Sequence, residues 1–415
     1  MSHTDFDTFF SAATGPQAFR VQRRLAGGDG GPAAESLLIN VPTGLGKTAA
    51  VVLAWLWNSV GLAPEAQPAE PRWPRRLVYC LPMRTLVEQT RKAVETWLKG
   101  LLQAADGIGF GADARQDLQW LVDHSPVVLM GGEDTELRKR EWDIWPEKPC
   151  ILIGTQDMLL SRALNRGYAM SRYRWPMHFG LLNNDCLWVM DEVQLMGPGL
   201  WTSGQLDWMR QERFRTAMPC WTWWMSATNS DGFLNTPDRG PLQPSRFPFD
   251  ENEMPPQLKE AQRPCGFWTP PAVGSPKKVR GSKAPHAAIS PEDHFLSALV
   301  LHVVEQHQPG TLSLVVCNTV ATAQKLHERL RSLDRQGASL ILLTSRFRKR
   351  DRQAHENTLI EFERERKEGK SAGLARARLH RHAGGRGRYG RLRLPALDGN
   401  RAVAISCSAA WTLES

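Results

Sequence analysis

The sequence predicts an α/β fold built on a parallel sheet. Three observations carry this. Short, wholly apolar runs recur along the first 230 residues, helix-like stretches separate them, and a glycine-rich loop joins one such run directly to a helix. Strands apolar throughout, rather than alternately, are strands covered on both faces, and helices between them make parallel crossovers.

The elements follow in order. Residues 1–36 are expected to be helical and to end in the turn Gly27-Gly28-Asp29-Gly30-Gly31-Pro32. Leu37-Leu38-Ile39-Asn40-Val41 is a short buried strand, and Ala49 to Trp57 is an apolar helix. The Pro- and Ala-rich segment 60–76 reads as a loop, Arg76 to Leu81 as a strand, and about Arg84 to Leu101 as a helix. Further strands are expected at Val127–Met130, Ile151–Gly154, Cys186–Met190 and Trp221–Met225. The stretch 236–290 is rich in Pro, Gly and charge, the composition of a linker or poorly ordered insertion. A second α/β domain begins with a helix at 292–307, the strand Thr311–Cys317, the helix Val320–Leu333 and the strand Leu340–Thr344, followed by a charged helix at 351–370. The expected domains are therefore 1–235, a linker at 236–290, a partial second domain at 291–370, and a tail at 371–415.

Composition sets limits. A chain of 415 residues, 41% hydrophobic and 23% charged, can bury two or three cores. No apolar run is long enough for a membrane span, and the N-terminal residues lack the basic flank and apolar stretch of a secretory signal, so a cytoplasmic protein is expected. The seven cysteines are scattered, most of them inside apolar runs, and read as reduced core residues. The formal charge of +9 suits a polyanion partner, but the last 45 residues alone supply eight Arg against one Asp and one Glu, so charge alone decides little.

Chemistry concentrates in three segments. Val41-Pro42-Thr43-Gly44-Leu45-Gly46-Lys47-Thr48 lies between a strand and a helix. Glycines such as Gly44 and Gly46 let backbone N–H groups face a phosphate, and the helix start adds its positive end. Lys47 supplies charge for the β- and γ-phosphates of ATP, and the Thr48 hydroxyl can hold Mg²⁺. Asp191-Glu192-Val193-Gln194 ends an apolar strand, which puts carboxylates at the sheet edge where nucleotides bind. Asp191 would hold Mg²⁺ and Glu192 would orient and deprotonate the attacking water. Ser226-Ala227-Thr228 ends the aromatic strand, and its hydroxyls can couple the acid pair to a bound strand by hydrogen bonds.

Together these segments resemble the signature of superfamily 2 helicases, and that resemblance implies RecA-like domains of the phosphate-loop NTPase type, the second of them incomplete. The remaining segments match in order. Gln22 resembles the adenine-reading glutamine. Pro82, Arg84 and Thr85, then Gly154 and Thr155, resemble segments that track the nucleic-acid strand, with Thr155 expected as a helix N-cap. In the second domain Asn318 and Thr319 resemble the fourth helicase segment, with Ser345 and Arg346 following. The Ser345-Arg346-Phe347 element and the Gln194 variant of the acid box are similar to the CRISPR-associated helicase-nuclease of type I interference systems, nearest to its I-U (I-G) branch. The resemblance covers about residues 20–350.

This resemblance implies ATP-driven movement along single-stranded DNA, recruitment by an RNA-guided, Cascade-like surveillance complex, and DNA cutting by a separate HD nuclease domain. That nuclease is not found in the chain: Asp123-His124 and Asp293-His294 have the reversed order and read as capping or surface residues. A general superfamily 2 DNA or RNA helicase, or a non-enzymatic nucleic-acid-binding remnant, stays open.

The tail departs from the pattern. Residues 371–400 contain no Val, Ile or Phe, and the family's last two segments, one of them bearing the arginines that reach the γ-phosphate, are missing. Back-translation with chosen codons recovers Thr-Gly-Thr-Gln-Ala-Val-Glu-Ala-Gly-Met-Asp-Val-Ser from His380–Leu392, and Gln-Arg-Arg-Gly-Arg from Ser408–Thr412, in one shifted frame. This points to a reading-frame slip near codons 365–379, a tail without an evolved fold, and weak ATP binding with poor hydrolysis. A genuine Arg/Gly-rich nucleic-acid-binding tail is the alternative.

Overall fold

The computed structural model describes residues 5–27, 35–42, 44–60, 73–131, 142–168, 170–226, 232–237, 243–250, 252, 254–255, 268–270, 290–307, 312–333, 339–344, 346–367 and 402–407. The chain divides into two units, one of residues 1–262 with the last two residues, the other of 263–413.

Among its described residues the first unit holds seven strands: β1 (Leu37–Asn40), β2 (Arg76–Leu81), β3 (Val127–Leu129), β4 (Cys150–Thr155), β5 (Cys186–Met190), β6 (Cys220–Ser226) and β7 (Ser245–Arg246). They form one sheet in the order β3-β4-β2-β5-β6-β1-β7, and every pairing is parallel. Its helices are α1 (Phe6–Thr14), α2 (Arg20–Leu25), α3 (Lys47–Ser59), α4 (Arg84–Ala104), α5 (Ala112–His124), α6 (Gln156–Ala163), α7 (Trp175–Leu182) and α8 (Pro198–Glu212). Helices α1 to α5 cover one face and α6 to α8 the other, giving two separate cores. Successive residues of a strand point to opposite faces. In β6, Trp221, Trp223 and Met225 enter the first core, while Cys220 and Trp224 enter the second. The buried indole N–H groups find acceptors: Trp223 Nε1 donates to Glu35 O at 2.9 Å and Trp224 Nε1 to Ser203 Oγ at 2.8 Å.

Helix α3 is buried nearly all round because it runs between the sheet and the N-terminal helices. Helix α4 buries only Val87, Thr90, Val94, Leu98 and Leu101, a single stripe at the spacing of one helix face. In β4, Gly154 is required by close approach, since a Cβ there would lie 2.5 Å from the Leu129 carbonyl oxygen of β3. No described helix is long and apolar enough to cross a membrane.

The second unit contains α9 (Pro291–Gln306), β8 (Leu312–Val316), α10 (Val320–Leu333), β9 (Ser339–Thr344), α11 (Lys349–Lys367) and β10 (Ala402–Cys407). Its sheet is parallel, in the order β8-β10-β9. Leu296, Val300 and Val303 of α9 pack with Cys317 and with Ala323, Leu326 and Leu330 of α10.

Two features go beyond the boundaries expected from the sequence. The first compact unit runs to residue 262, and past residue 235 β7 adds to the sheet beside β1 and Phe247 is buried in its core. β10 falls within the stretch expected as the tail and is the central strand of the second sheet. Val403, Ala404 and Ile405 suit a strand between two others, a local run hidden by the Arg/Gly-rich sequence before it. The rest of the tail lies outside the described residues.

Candidate functional site

The site lies at the C-terminal edge of the first sheet. The loop after β1 and the loop after β5 emerge there, with β6 as the one strand between them. At about 4.8 Å per strand, the two loops are about 10 Å apart at their roots.

The loop after β1 turns on Gly44 (φ 91°) and Gly46 (φ 60°), both in the left-handed region that glycine tolerates. Gly46 caps α3 with no side chain of its own. A Cβ there would sit 2.9 Å from Gln22 Nε2. Gln22 is buried beneath the loop: its Nε2 donates to Leu45 O at 3.0 Å, and its Oε1 accepts from the Phe19 N–H at 2.8 Å. The structure thus places the predicted base-reading glutamine as a brace of the loop backbone. Lys47 opens α3 and is 5% exposed, and its Nζ has no hydrogen-bond partner among the described residues. A buried ammonium without partners is costly in a folded chain. An anion delivered to the loop would satisfy it. Thr48 is half-buried on the next position, and Thr43 lies outside the described residues.

Asp191 directly follows β5 and is buried. Its Oδ2 accepts from the Tyr79 hydroxyl at 2.8 Å and its Oδ1 from the Glu192 N–H at 2.9 Å. Burial pushes its carboxyl up to about 6; the neighbouring Glu192 adds to the rise, while Tyr79, Lys47 and the Glu192 N–H oppose it. The Lys47 charge thus lies near enough to favour the ionised form of Asp191, without a hydrogen bond between them. Glu192 has φ 53°, uncommon for a non-glycine residue and typical of strained functional positions. Gln194 Nε2 donates to Glu192 Oε2, and Gln194 Oε1 accepts from Ser226 Oγ at 3.1 Å. Ser226 ends β6; Ala227 and Thr228 lie outside the described residues.

These pieces fit a magnesium-bound triphosphate. The left-handed glycines and the orphaned Lys47 suit phosphate oxygens, and Thr48 with Asp191 supply hard oxygen donors. Two contributors were not singled out as site residues from the sequence. Tyr79 is the one polar-tipped aromatic in an otherwise apolar strand end, a signal that could have marked it. Gln194 stands out in the sequence only as a variant of the acid box.

The strand-tracking candidates of the first unit flank the same edge. Pro82 and Thr85 are half-buried around the start of α4, and Arg84 is exposed. Thr155 occupies the N-cap position of α6, but its hydroxyl makes no capping hydrogen bond. In the second unit Asn318 and Thr319 are exposed. Thr319 caps α10, its Oγ1 accepting from the Thr322 N–H at 3.1 Å. Arg346 is exposed, and Ser345 lies outside the described residues. Asp293 is spent on the start of α9, where Ser290 Oγ donates to it at 2.8 Å and Arg329 pairs with it. Asp123 accepts from Gln119, and His124 stacks on Trp120.

Residues 29–234 match the DEAD/DEAH box helicase family, and residues 309–383 match the C-terminal part of the CRISPR-associated nuclease/helicase Cas3. The search of curated proteins returns no match. Among solved structures, the chain is similar to Mss116p bound to ssRNA and AMP-PNP, with 13% identity, a TM-score of 0.50, and coverage of 98% of this chain and 75% of that one. It is also similar to the Mycobacterium smegmatis helicase Lhr bound to ssDNA and AMP-PNP, with 18% identity, a TM-score of 0.49, and coverage of 97% and 41%. S. cerevisiae Dbp5 bound to RNA and ADP BeF3 follows at 13% identity and a TM-score of 0.45, covering 97% and 74%. At 13% identity the likeness to Mss116p is one of fold. The two family matches, on a fold that carries the phosphate loop and acid box at one sheet edge, support a Cas3-type superfamily 2 helicase, an ATP-dependent helicase by class.

Proposed function

We propose that this chain is the ATP-driven motor of a type I CRISPR interference helicase, acting on single-stranded DNA delivered by an RNA-guided surveillance complex. The observation that carries the ATP-site reading is the orphaned Lys47 ammonium at the phosphate loop, acting on the buried Asp191 carboxylate beside it. In this reading Gly44, Gly46 and Lys47 bind the phosphates of ATP, and Thr48 and Asp191 hold Mg²⁺. The magnesium ion, when bound, neutralises charge that develops on the phosphates. Glu192, held by Gln194, orients the attacking water and takes its proton. The Gln194–Ser226 bond carries the state of the acid box into the segment that follows β6, the route by which hydrolysis would be coupled to the bound strand.

The Cas3-like match in the second unit and the Gln194 variant favour CRISPR interference over repair or RNA metabolism. The missing arginine-bearing segment supports slow hydrolysis, since such an arginine contributes roughly 10³–10⁵ in rate in other phosphate-loop enzymes. The test is ATP turnover by the full chain with oligothymidylate, oligouridylate or no polymer. Stimulation by DNA well below that of ordinary helicases, and abolished by Lys47→Ala, is expected. Turnover unaffected by Lys47→Ala refutes the motor. Stimulation by RNA alone refutes the DNA assignment. Sequencing the gene tests the proposed frame slip, which fails if the shifted frame is interrupted.

A further inference from the structure

The edge of the first sheet opposite the phosphate loop carries an arginine- and tyrosine-rich surface that the ATP site does not use. Residues 142–149 lead into the start of β4, and α7 leads into the start of β5, so both lie at strand starts. Residues 158–184 contain four arginines and no Asp or Glu. Arg166 and Arg172 are exposed, and neither makes an ion pair among the described residues. Arg172 lies 5.9 Å from the Trp175 ring centre. Tyr173 is 96% exposed, Tyr168 61% and Trp145 48%. An aromatic ring held in water beside unpaired guanidinium groups gains nothing for folding.

This surface is built rather than loose. Arg174 pairs with the buried carboxylate of Asp143, which also accepts from His178 Nε2 at 2.7 Å. Trp175 Nε1 donates to Gly167 O at 3.1 Å, and Arg162 donates to Met158 O at 2.6 Å and Tyr168 O at 3.4 Å. These bonds hold the backbone at Gly167 and Tyr168 and the ring of Trp175, so the described residues beside the tyrosines have little ordering entropy to lose on binding.

We infer that this surface binds a single-stranded polynucleotide, with bases stacking on Tyr168 and Tyr173 and phosphates facing Arg166 and Arg172. Cations interleaved with exposed aromatic rings are the recognition chemistry of single strands, because every base offers a face and every linkage a charge. An acidic protein segment would account for the arginines but would leave the tyrosine faces without a role. The strands are five or six residues long, which puts this contact about 17–20 Å from the loops that carry Arg84 and Thr155. It is a second grip, and it operates without ATP.

The test is the fluorescence anisotropy of labelled oligothymidylate with the full chain and no nucleotide present. The variants are Tyr173→Ala and Arg166→Ala/Arg172→Ala. Because these side chains are exposed, melting temperature and ATP binding should not move. Expected are a loss of about tenfold in affinity for Tyr173→Ala and, for the double arginine variant, a salt slope shallower by about 0.7 per arginine. Ultraviolet crosslinking of a bromodeoxyuridine oligomer should recover Tyr168 or Tyr173. Unchanged affinity and salt slope, with crosslinks confined to other segments, overturns the inference. So does polyglutamate that competes equally well before and after Tyr173→Ala, which would identify an acidic protein as the occupant.

Discussion

The Ser226 hydroxyl donates to Gln194 Oε1 at 3.1 Å, and the other end of the same amide donates to Glu192. One side chain thus joins Glu192 of the acid box to the residue that ends β6. Replacing either partner should uncouple hydrolysis from polymer binding. Gln194→Ala and Ser226→Ala should each lower DNA-stimulated ATP turnover about tenfold or more, with nucleotide affinity within about twofold. The double variant should be no worse than the poorer single one, because both remove the same link. Additive losses would mean that the two residues act separately.

Lys47 Nζ is buried without a hydrogen-bond partner among the described residues. Lys47→Met should therefore abolish ATP binding yet raise the stability of the ligand-free chain by about 1–2 kcal/mol, seen as a higher melting temperature. A lower melting temperature would show that the ammonium already has a structural partner.

Burial raises the Asp191 carboxyl from its ordinary value of 3.8 to about 6. The folded chain thus disfavours the ionised form. Its contribution is most favourable below about pH 4 and is lost as pH rises through about 6. Asp191→Asn should stabilise the metal-free chain above pH 6 by on the order of 2 kcal/mol and have little effect near pH 4. Urea unfolding at the two pH values measures this. A gain confined to low pH would reverse the assigned sign. The same variant should abolish hydrolysis.

Gly154 faces the Leu129 carbonyl oxygen, where an added Cβ would lie at 2.5 Å, and the Leu159 side chain at 3.0 Å. Gly154→Ala should destabilise the first unit by roughly 2–3 kcal/mol, since the obstruction is strand backbone. Its urea midpoint should fall accordingly. A stable variant with lost strand binding would instead support the nucleic-acid role expected from the sequence.

Much of the site was legible in the sequence because its parts are local. The left-handed turns of Gly44 and Gly46, the helix start at Lys47 and the strand-end acids at 191–192 are each specified within a few residues. Their physical reasons, glycine conformational freedom and strand-to-helix succession, need no distant partner. The same holds for most strands, whose apolar runs betray burial on both faces.

Only the tertiary structure decided which distant residues meet. The sheet order β3-β4-β2-β5-β6-β1-β7 is not the chain order, so the neighbours of a loop cannot be read by counting along the sequence. The Tyr79–Asp191 bond spans 112 positions, and the Gln194–Ser226 bond 32. β7 and β10 are short or embedded in polar sequence, and become strands through the edges they complete. Parallel crossovers bring together residues that local chemistry leaves unrelated. For that reason the sequence by itself determined what kind of groups this protein brings to a phosphate, while the folded sheet determined which side chains hold those groups in place.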